Sequence, residues 1–402
     1  MSSGIVFSKR SIPQRLLLTS AILLTVALIV LSQKYLGILD LFDRVELATS
    51  SHHKPSALSQ QAQPAVTNHI PNQVHYVYVL KDGVTDFSFE FKHYLSVYAS
   101  WLYLRPDIIY LHTNAPDTAI AHARSGAGGK WNRLLFAMPH IRVNHVTAPT
   151  AAENGRPITI LEHQTDFLRQ EAVRGLGGVY LDFDAHALRS LDPLRASGFA
   201  VVLGRQHGGE VNAGVLLGRA GARALALWRD EMHRVYDGAS WSGHVNGVLS
   251  RLCPRLMRIP GEVLVLEQDA LQPGSWLVED NLALFGIHDE TRSNLEGVGQ
   301  GGALPEFEEA LMDRWEHPER FPPWERDYSS TYVLHAFDPK RNGNPVPGFE
   351  HITPRYVLDR QSNFARAVYP VAKHMYDAGL VEIDDPYHGN VDGHENPGKR
   401  QP

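Results

Sequence analysis

Apolar residues along this chain follow two periods. Leu161, Leu168, Ala172 and Leu176 are spaced by seven, four and four residues, which predicts one apolar stripe along a helix. Asp166 and Arg169, three apart, are expected together on a face away from that stripe. Gly175, Gly177 and Gly178 end the pattern, because glycine supplies the left-handed backbone a helix stop uses. The period then changes to two. Val179, Leu181 and Phe183 alternate with Tyr180, Asp182 and Asp184, as in a strand. Such a strand delivers two carboxylates, two residues apart, to the same side of its end.

The same two periods organise the rest of the chain. Ile70 to Leu80 is β-branched and aromatic and reads as a first strand. Phe91, Leu95, Tyr98 and Leu102 fall at helical spacing within Phe87 to Leu104. Asp107 to Thr113 is a second strand, Trp131 to Met138 a helical turn and His140 to Val146 a third strand. Gly198 to Leu203 and Val211 to Gly218 follow as strands, and Ala220 to Tyr236 as a helix. Gly286 to Arg326 is polar and rich in glycine and proline, which suggests an insertion or mobile loop with a short helix at Glu306 to Trp315. Thr331 to Phe337 is a late strand with His335 at its centre. Strands separated by helices predict an α/β fold with a mainly parallel central sheet. Ligands of such sheets gather beyond the carboxyl ends of the strands, where Asp182 and Asp184 are expected.

Those aspartates have a chemical use. Two neighbouring carboxylates repel, and burying them unpaired is costly. A hard divalent cation removes the conflict, since Mg²⁺ and Mn²⁺ favour carboxylates, water and phosphate oxygens. A strand end with two solvated aspartates is the plainer account. The apolar strand, the double glycine and the helix bearing Asp166 and Arg169 favour a metal–diphosphate site.

The runs T-D-F-L-R at 165–169 and G-L-G-G-V-Y-L-D-F-D at 175–184 resemble the Asp-x-Asp region of glycosyltransferase family 32. That family includes Golgi mannosyltransferases and is similar to the α-1,4-glycosyltransferases. The resemblance implies a GT-A-like domain, a nucleotide-sugar donor, a glycan or glycolipid acceptor, Mn²⁺ (or Mg²⁺), and retention of anomeric configuration. It makes Asp184 the direct metal ligand, and Asp182 a ribose contact or a ligand through water. Asp166 and Arg169 become donor-sugar contacts, with an intrahelical ion pair as the alternative. Ile70 to His75 is similar to the family's opening segment, so Tyr78 is either a contact to the base or a core aromatic. The segment around Asn212 resembles the one after the metal strand, where Asn212 holds a donor hydroxyl or phosphate, or else forms a turn. His335 is similar to the late histidine that completes the metal shell, or is a satisfied core residue. Trp241 to Cys253 resembles the α-1,4-glycosyltransferase helix that follows a Gly-Pro pair, but the pair is missing, so no acceptor contact is assigned.

Composition sets the frame for this reading. Of 402 residues, 43 % are hydrophobic and 20 % charged, as in a globular protein with a sizeable core. A net charge of −6 gives no bulk positive surface for nucleic acid. The single cysteine, Cys253, permits no intrachain disulfide and sits in an apolar run, as a core thiol would. Residues 16–31 carry no charge and follow Lys9, Arg10 and Arg15, the pattern of a signal anchor with a cytoplasmic N-terminus. The expected order is a cytoplasmic tail at 1–15, a transmembrane helix at 16–39, a flexible stem at 40–69, a catalytic domain at 70–385 and a disordered tail at 386–402. That is a single-pass type II protein of the Golgi or another secretory-pathway membrane, with a luminal catalytic domain. The expected activity is transfer of a sugar from a nucleotide-sugar donor. Two alternatives stand beside it. One is a metal-dependent phosphohydrolase, whose motif calls for Thr or Val where this chain has His186. The other is a non-catalytic, membrane-tethered carbohydrate-binding protein.

Overall fold

The computed structural model of the chain describes residues 69–81, 86–288, 314, 316–340 and 343–389. The expected anchor and all but the last residue of the expected stem lie outside the described residues. So do residues 289–313, which hold most of the short helix expected at Glu306 to Trp315, and residues 390–402. Among the described residues no helix is long and apolar enough to cross a membrane.

The opening apolar segment forms β1, Gln73–Val77, the third strand of a seven-stranded sheet. β1 pairs in parallel with β2 (Ile108–Thr113) on one side and β4 (Gly178–Leu181) on the other, and β2 pairs in parallel with β3 (Ile141–His145). β7 (Val211–Gly218) runs antiparallel to both β4 and β6 (Val201–Arg205). β8 (Val263–Leu266), a strand without a sequence expectation, closes the sheet parallel to β6. The order is β3-β2-β1-β4-β7-β6-β8, mainly parallel, with β7 as the reversal. Every residue of β4 and β7 is buried, as expected for near-continuous apolar strands covered on both faces.

Two further strands carry the site. β5 (Ala185–Ala187) pairs antiparallel with β9 (Val333–His335), and the register sets Ala185 opposite His335. A residue from late in the chain therefore arrives beside the residues just after β4.

The helix expected at the glycine stop spans Leu161–Leu176, but its phase differs from the apolar stripe. His163, Phe167, Arg169, Gln170, Ala172 and Val173 are buried, whereas Leu176 is 40 % exposed. The buried polar residues each have a partner. His163 Nδ1 pairs with the Tyr236 hydroxyl at 3.0 Å, and Gln170 Nε2 donates to Leu225 O at 2.7 Å. Arg169 therefore points into the protein rather than away from it. The helix ends on Gly177 and Gly178, at φ of 69° and 113°. A Cβ on Gly178 would lie 2.5 Å from Gln73 O, so the chain enters β4 tight against β1.

The helix expected from Phe87 begins at Phe91. The stretch before it is held extended by Asn132, which accepts from Phe89 N–H at 3.0 Å and donates to Phe87 O at 2.8 Å. Chain from the C-terminal side seals this corner. Tyr387 O accepts from Phe91 N–H at 2.8 Å, Gly389 O from Lys130 N–H at 2.8 Å and Pro386 O from Trp131 Nε1 at 2.9 Å. The chain thus stays packed through Gly389, past the boundary expected at 385. The described end of the expected insertion is anchored too, by an ion pair of 2.6 Å between Glu325 and Arg366. Cys253 is buried in the helix Asn246–Leu256, and burial pushes its thiol up to about 12, which suits a core residue.

Candidate metal centre and its cavity

β4 stops at Leu181, earlier than the alternation suggested. Asp182 N–H still reaches across to Gly214 O of β7 at 2.9 Å, and a turn through Phe183 and Asp184 then leads into β5. The turn keeps both carboxylates at the strand end. His335 Nε2 lies 3.1 Å from Asp184 Oδ1 and 3.9 Å from Asp182 Oδ2. Ligand atoms of Asp182, Asp184 and His335 all fall within 4.8 Å of one another. The three expected ligands therefore converge. Two carboxylates and an imidazole suit Mn²⁺ or Mg²⁺, with positions left for water or phosphate. Gly214 leaves room for the cluster. A Cβ there would stand 2.5 Å from His335 Cε1 and 2.7 Å from Asp182 Oδ2.

Asp182 also meets Arg169, through Oδ1 at 3.2 Å and Oδ2 at 3.3 Å, and accepts from the Tyr180 hydroxyl at 2.6 Å. Arg169 reaches Asp166 at 3.0 Å and lies over the Tyr180 ring at 4.8 Å. The expected intrahelical ion pair is present, and it sits in the site. Asp166 is held from behind by His244 Nε2 at 3.1 Å, and His244 packs edge-on against His163 and Tyr236.

These charges set the protonation states. Burial raises the Asp182 carboxyl, with the like charge of Asp184 adding to it and Arg169 opposing. Burial acts the same way on Asp184, but the charge and hydrogen bond of His335 outweigh it and bring that carboxyl to about 2. Burial alone would lower His335, yet Asp184 and Asp182 hold it above its usual range. The carboxylate closest to the imidazole is thus ionised throughout the physiological range.

A cavity of about 960 Å³ opens over this cluster, a size that fits a small-molecule ligand. Asp166, Arg169, Asp182, Asp184, Asn212 and His335 all line it. Of the expected donor contacts, Tyr78 does not. Its hydroxyl pairs with Ser88 Oγ at 3.1 Å and its ring packs on Phe87 and Phe89, the core-aromatic alternative. Asn212 lies within β7 and not in a turn. Its side chain accepts from Gly214 N–H at 2.5 Å and bonds to Gln206 and Gln272. Several lining residues carried no expectation. Lys92 enters from the helix Phe91–Leu104 and pairs with Asp338 at 2.8 Å, and Trp241 stands at the cavity 58 % exposed. His244 falls within the segment likened to a transferase helix, where the missing Gly-Pro pair withheld any assignment. Gln272 had no local signal, because its role depends on strands far apart in sequence.

No family model matches the chain. A curated relative, Glucan organizing enzyme 1 of Cryptococcus neoformans var. grubii, is 26 % identical over 213 residues, 49 % of this chain. The chain spans about half the length of that relative, 54 %. Among solved structures, the glycosyltransferase GlyE of Streptococcus pneumoniae TIGR4 is similar at a TM-score of 0.36 and 11 % identity, over 77 % of this chain and 64 % of that one. The galactosyltransferase LgtC in complex with donor and acceptor sugar analogs is similar at a TM-score of 0.33 and 16 % identity, over 77 % of this chain and 100 % of that one.

Proposed function

We propose that this chain is a metal-dependent glycosyltransferase of GT-A-like fold. It moves a sugar, with retention, from a nucleotide-sugar donor to a glycan or glycolipid acceptor. The observation that carries the reading is the convergence of Asp182, Asp184 and His335 at the carboxyl end of β4, on the floor of a cavity that Asp166 and Arg169 also line. A cation bound there, read as Mn²⁺ before Mg²⁺, would neutralise charge growing on a diphosphate leaving group. Asp184, ionised and turned to His335, is the principal ligand. Arg169 supplies a fixed positive charge beside it, and Asp166 offers a carboxylate to donor-sugar hydroxyls. The resemblance of the 165–184 run to family 32 transferases supports the same reading, as does a relative whose name concerns glucan.

The decisive measurement is sugar-nucleotide hydrolysis over a panel of UDP- and GDP-sugars as Mn²⁺ is varied. Asp184→Ala and Asp184→Asn should each lose at least about a hundredfold in turnover, the scale of losing one preorganised charge-stabilising group. Asp184 is a better probe than Asp182, whose removal would also deprive buried Arg169 of a partner and cost stability. Unchanged turnover in Asp184→Ala, or full activity in chelator, would overturn the reading. Release of phosphate from simple phosphoesters would favour the hydrolase alternative.

The tethering of this domain to a secretory membrane is part of the same proposal. It is supported by the uncharged run at 16–31 behind Lys9, Arg10 and Arg15. A C-terminal tag should resist protease in sealed microsomes, and digestion without detergent would remove the luminal assignment.

A further inference from the structure

His335 can serve a cation between the two aspartates in one of its neutral tautomers only. Nε2 faces Asp184 and Asp182, so its lone pair must be free and the proton must sit on Nδ1. Nδ1 lies 2.9 Å from Gln272 Oε1. Which end of the Gln272 amide faces the ring is decided farther away.

Gly214 N–H approaches the Asn212 side chain at 2.5 Å. A backbone N–H can only donate, so the atom facing it must be the amide oxygen. That oxygen also accepts from Gln272 Nε2 at 2.7 Å. With its nitrogen turned to Asn212, Gln272 must present its oxygen to His335. The other end of the chain of amides agrees. Gln206 Nε2 donates to the Glu210 carboxylate at 3.0 Å, which leaves Gln206 Oε1 to accept from Asn212 Nδ2 at 2.5 Å. A main-chain N–H and a carboxylate therefore impose one polarity on three successive amides. Gln272, Gln206 and Asn212 are all buried, so a flipped amide would face like atoms with no water to satisfy them. Gln272 is itself fixed at the end of the short helix Gln268–Leu271, where its N–H bonds Gln268 O at 2.8 Å.

We propose that Gln272 is a positioning residue. Oriented by Asn212 and Gln206, it holds the His335 proton on Nδ1 and turns the Nε2 lone pair to the Asp182–Asp184 pair. The inference rests on reading those three residues as a cation site. It also gives Asn212 a task other than contact with the donor.

Mn²⁺ binding by the purified full-length chain, measured calorimetrically with melting temperature in parallel, tests it. Gln272→Met keeps the volume but offers Nδ1–H no good acceptor, and should weaken Mn²⁺ binding by about 10–100-fold, the usual effect of losing a partner behind a metal ligand. Gln272→Glu keeps an acceptor oxygen for Nδ1–H and, protonated in that buried place, a donor for Asn212 Oδ1, so it should retain most of the affinity. In a His335→Ala background, adding Gln272→Met should change little, because both act through one imidazole. A merely structural role predicts the reverse order, with Met tolerated and the buried Glu harmful. Wild-type affinity in Gln272→Met would overturn the proposal, as would an equal loss with and without His335. If the wild-type chain takes up no Mn²⁺, the cation reading falls and this inference with it. Binding by wild type and Gln272→Met alike removes this inference alone.

Discussion

Gly214 is where the site has least room. It sits in the middle of a strand, with no turn and no left-handed backbone to require glycine. The constraint is the approach of β7 to the ligand cluster, where the hydrogen stands in for a methyl that would overlap His335 Cε1 and Asp182 Oδ2. Both neighbours are side-chain ends, so Gly214→Ala should displace ligands rather than unfold the sheet. A displacement of roughly 1 Å in positioned groups costs about a hundredfold in rate. Turnover and Mn²⁺ affinity should therefore fall together while the circular-dichroism melt stays near wild type. An alanine variant with wild-type Mn²⁺ affinity would show that the cluster tolerates the methyl. Arg169 illustrates a second residue-scale constraint. It is 8 % exposed, and it is stable there because Asp166 and Asp182 flank it; either aspartate lost would leave a buried charge short of a partner.

At the scale of elements, most strands of the central sheet were legible, the short β5 and β8 were not, and neither was the phase of the helix before β4. Val211–Gly218 is an observed strand with the bounds its apolar run suggested, because eight residues buried on both faces leave a continuous signal. The helix Leu161–Leu176 was visible as a helix, yet counting leucines turned it the wrong way. Its inward face is rich in polar residues satisfied by partners on other elements, among them His163 with Tyr236 and Gln170 with Leu225 O. Periodicity counts apolar atoms and cannot see a hydrogen bond made across space. The same limit explains the site. Asp182 and Asp184 were legible because a strand end and a double glycine lie beside them in sequence. That β9 would bring His335 opposite Ala185 follows from a pairing about 150 residues long in sequence, and it entered only through resemblance to a known family. Gln272 and Gln206 could not be found at all, since a buried amide acquires its role from what surrounds it. Tyr78 shows the converse, a position beside the nucleotide by analogy that the core of this chain uses for packing.

The whole molecule should be acid-sensitive, and a pair of buried histidines that do not line the cavity supplies the reason. His75 on β1 and His112 on β2 are buried and joined in a line of neutral hydrogen bonds. Asn144 Nδ2 donates to His112 Nδ1 at 2.9 Å, the His112–His75 contact is 3.0 Å, and His75 Nε2 donates to Gly177 O at 2.6 Å. The two bonds that a ring nitrogen accepts, at His112 Nδ1 and His75 Nδ1, each need an uncharged ring. Burial brings His75 from 6.5 down to about 4, with the Gly177 hydrogen bond opposing, and burial together with His75 brings His112 to about 3. Between those values and 6.5 the unfolded chain binds protons that the folded chain refuses, so stability rises with pH across the window. It is complete above about pH 6.5 and is lost as the pH falls toward 4 and below. For His75 alone the shift corresponds to about 3 kcal/mol. Other buried histidines, such as His186 at about 3, slope the same way. Urea unfolding at pH 7 and at pH 4.5 should show the loss, and a double His75→Gln, His112→Gln variant should show a smaller one even if it starts less stable. An unchanged difference between the two pH values in that variant would exclude the pair as its source. Gly177 O, which His75 holds, belongs to the turn that leads into β4 and so to Asp182. A protonated His75 still donates there, whereas a cation must displace the proton of His335, which Asp184 and Asp182 hold above its usual range, so Mn²⁺ binding should weaken in acid before the sheet unfolds.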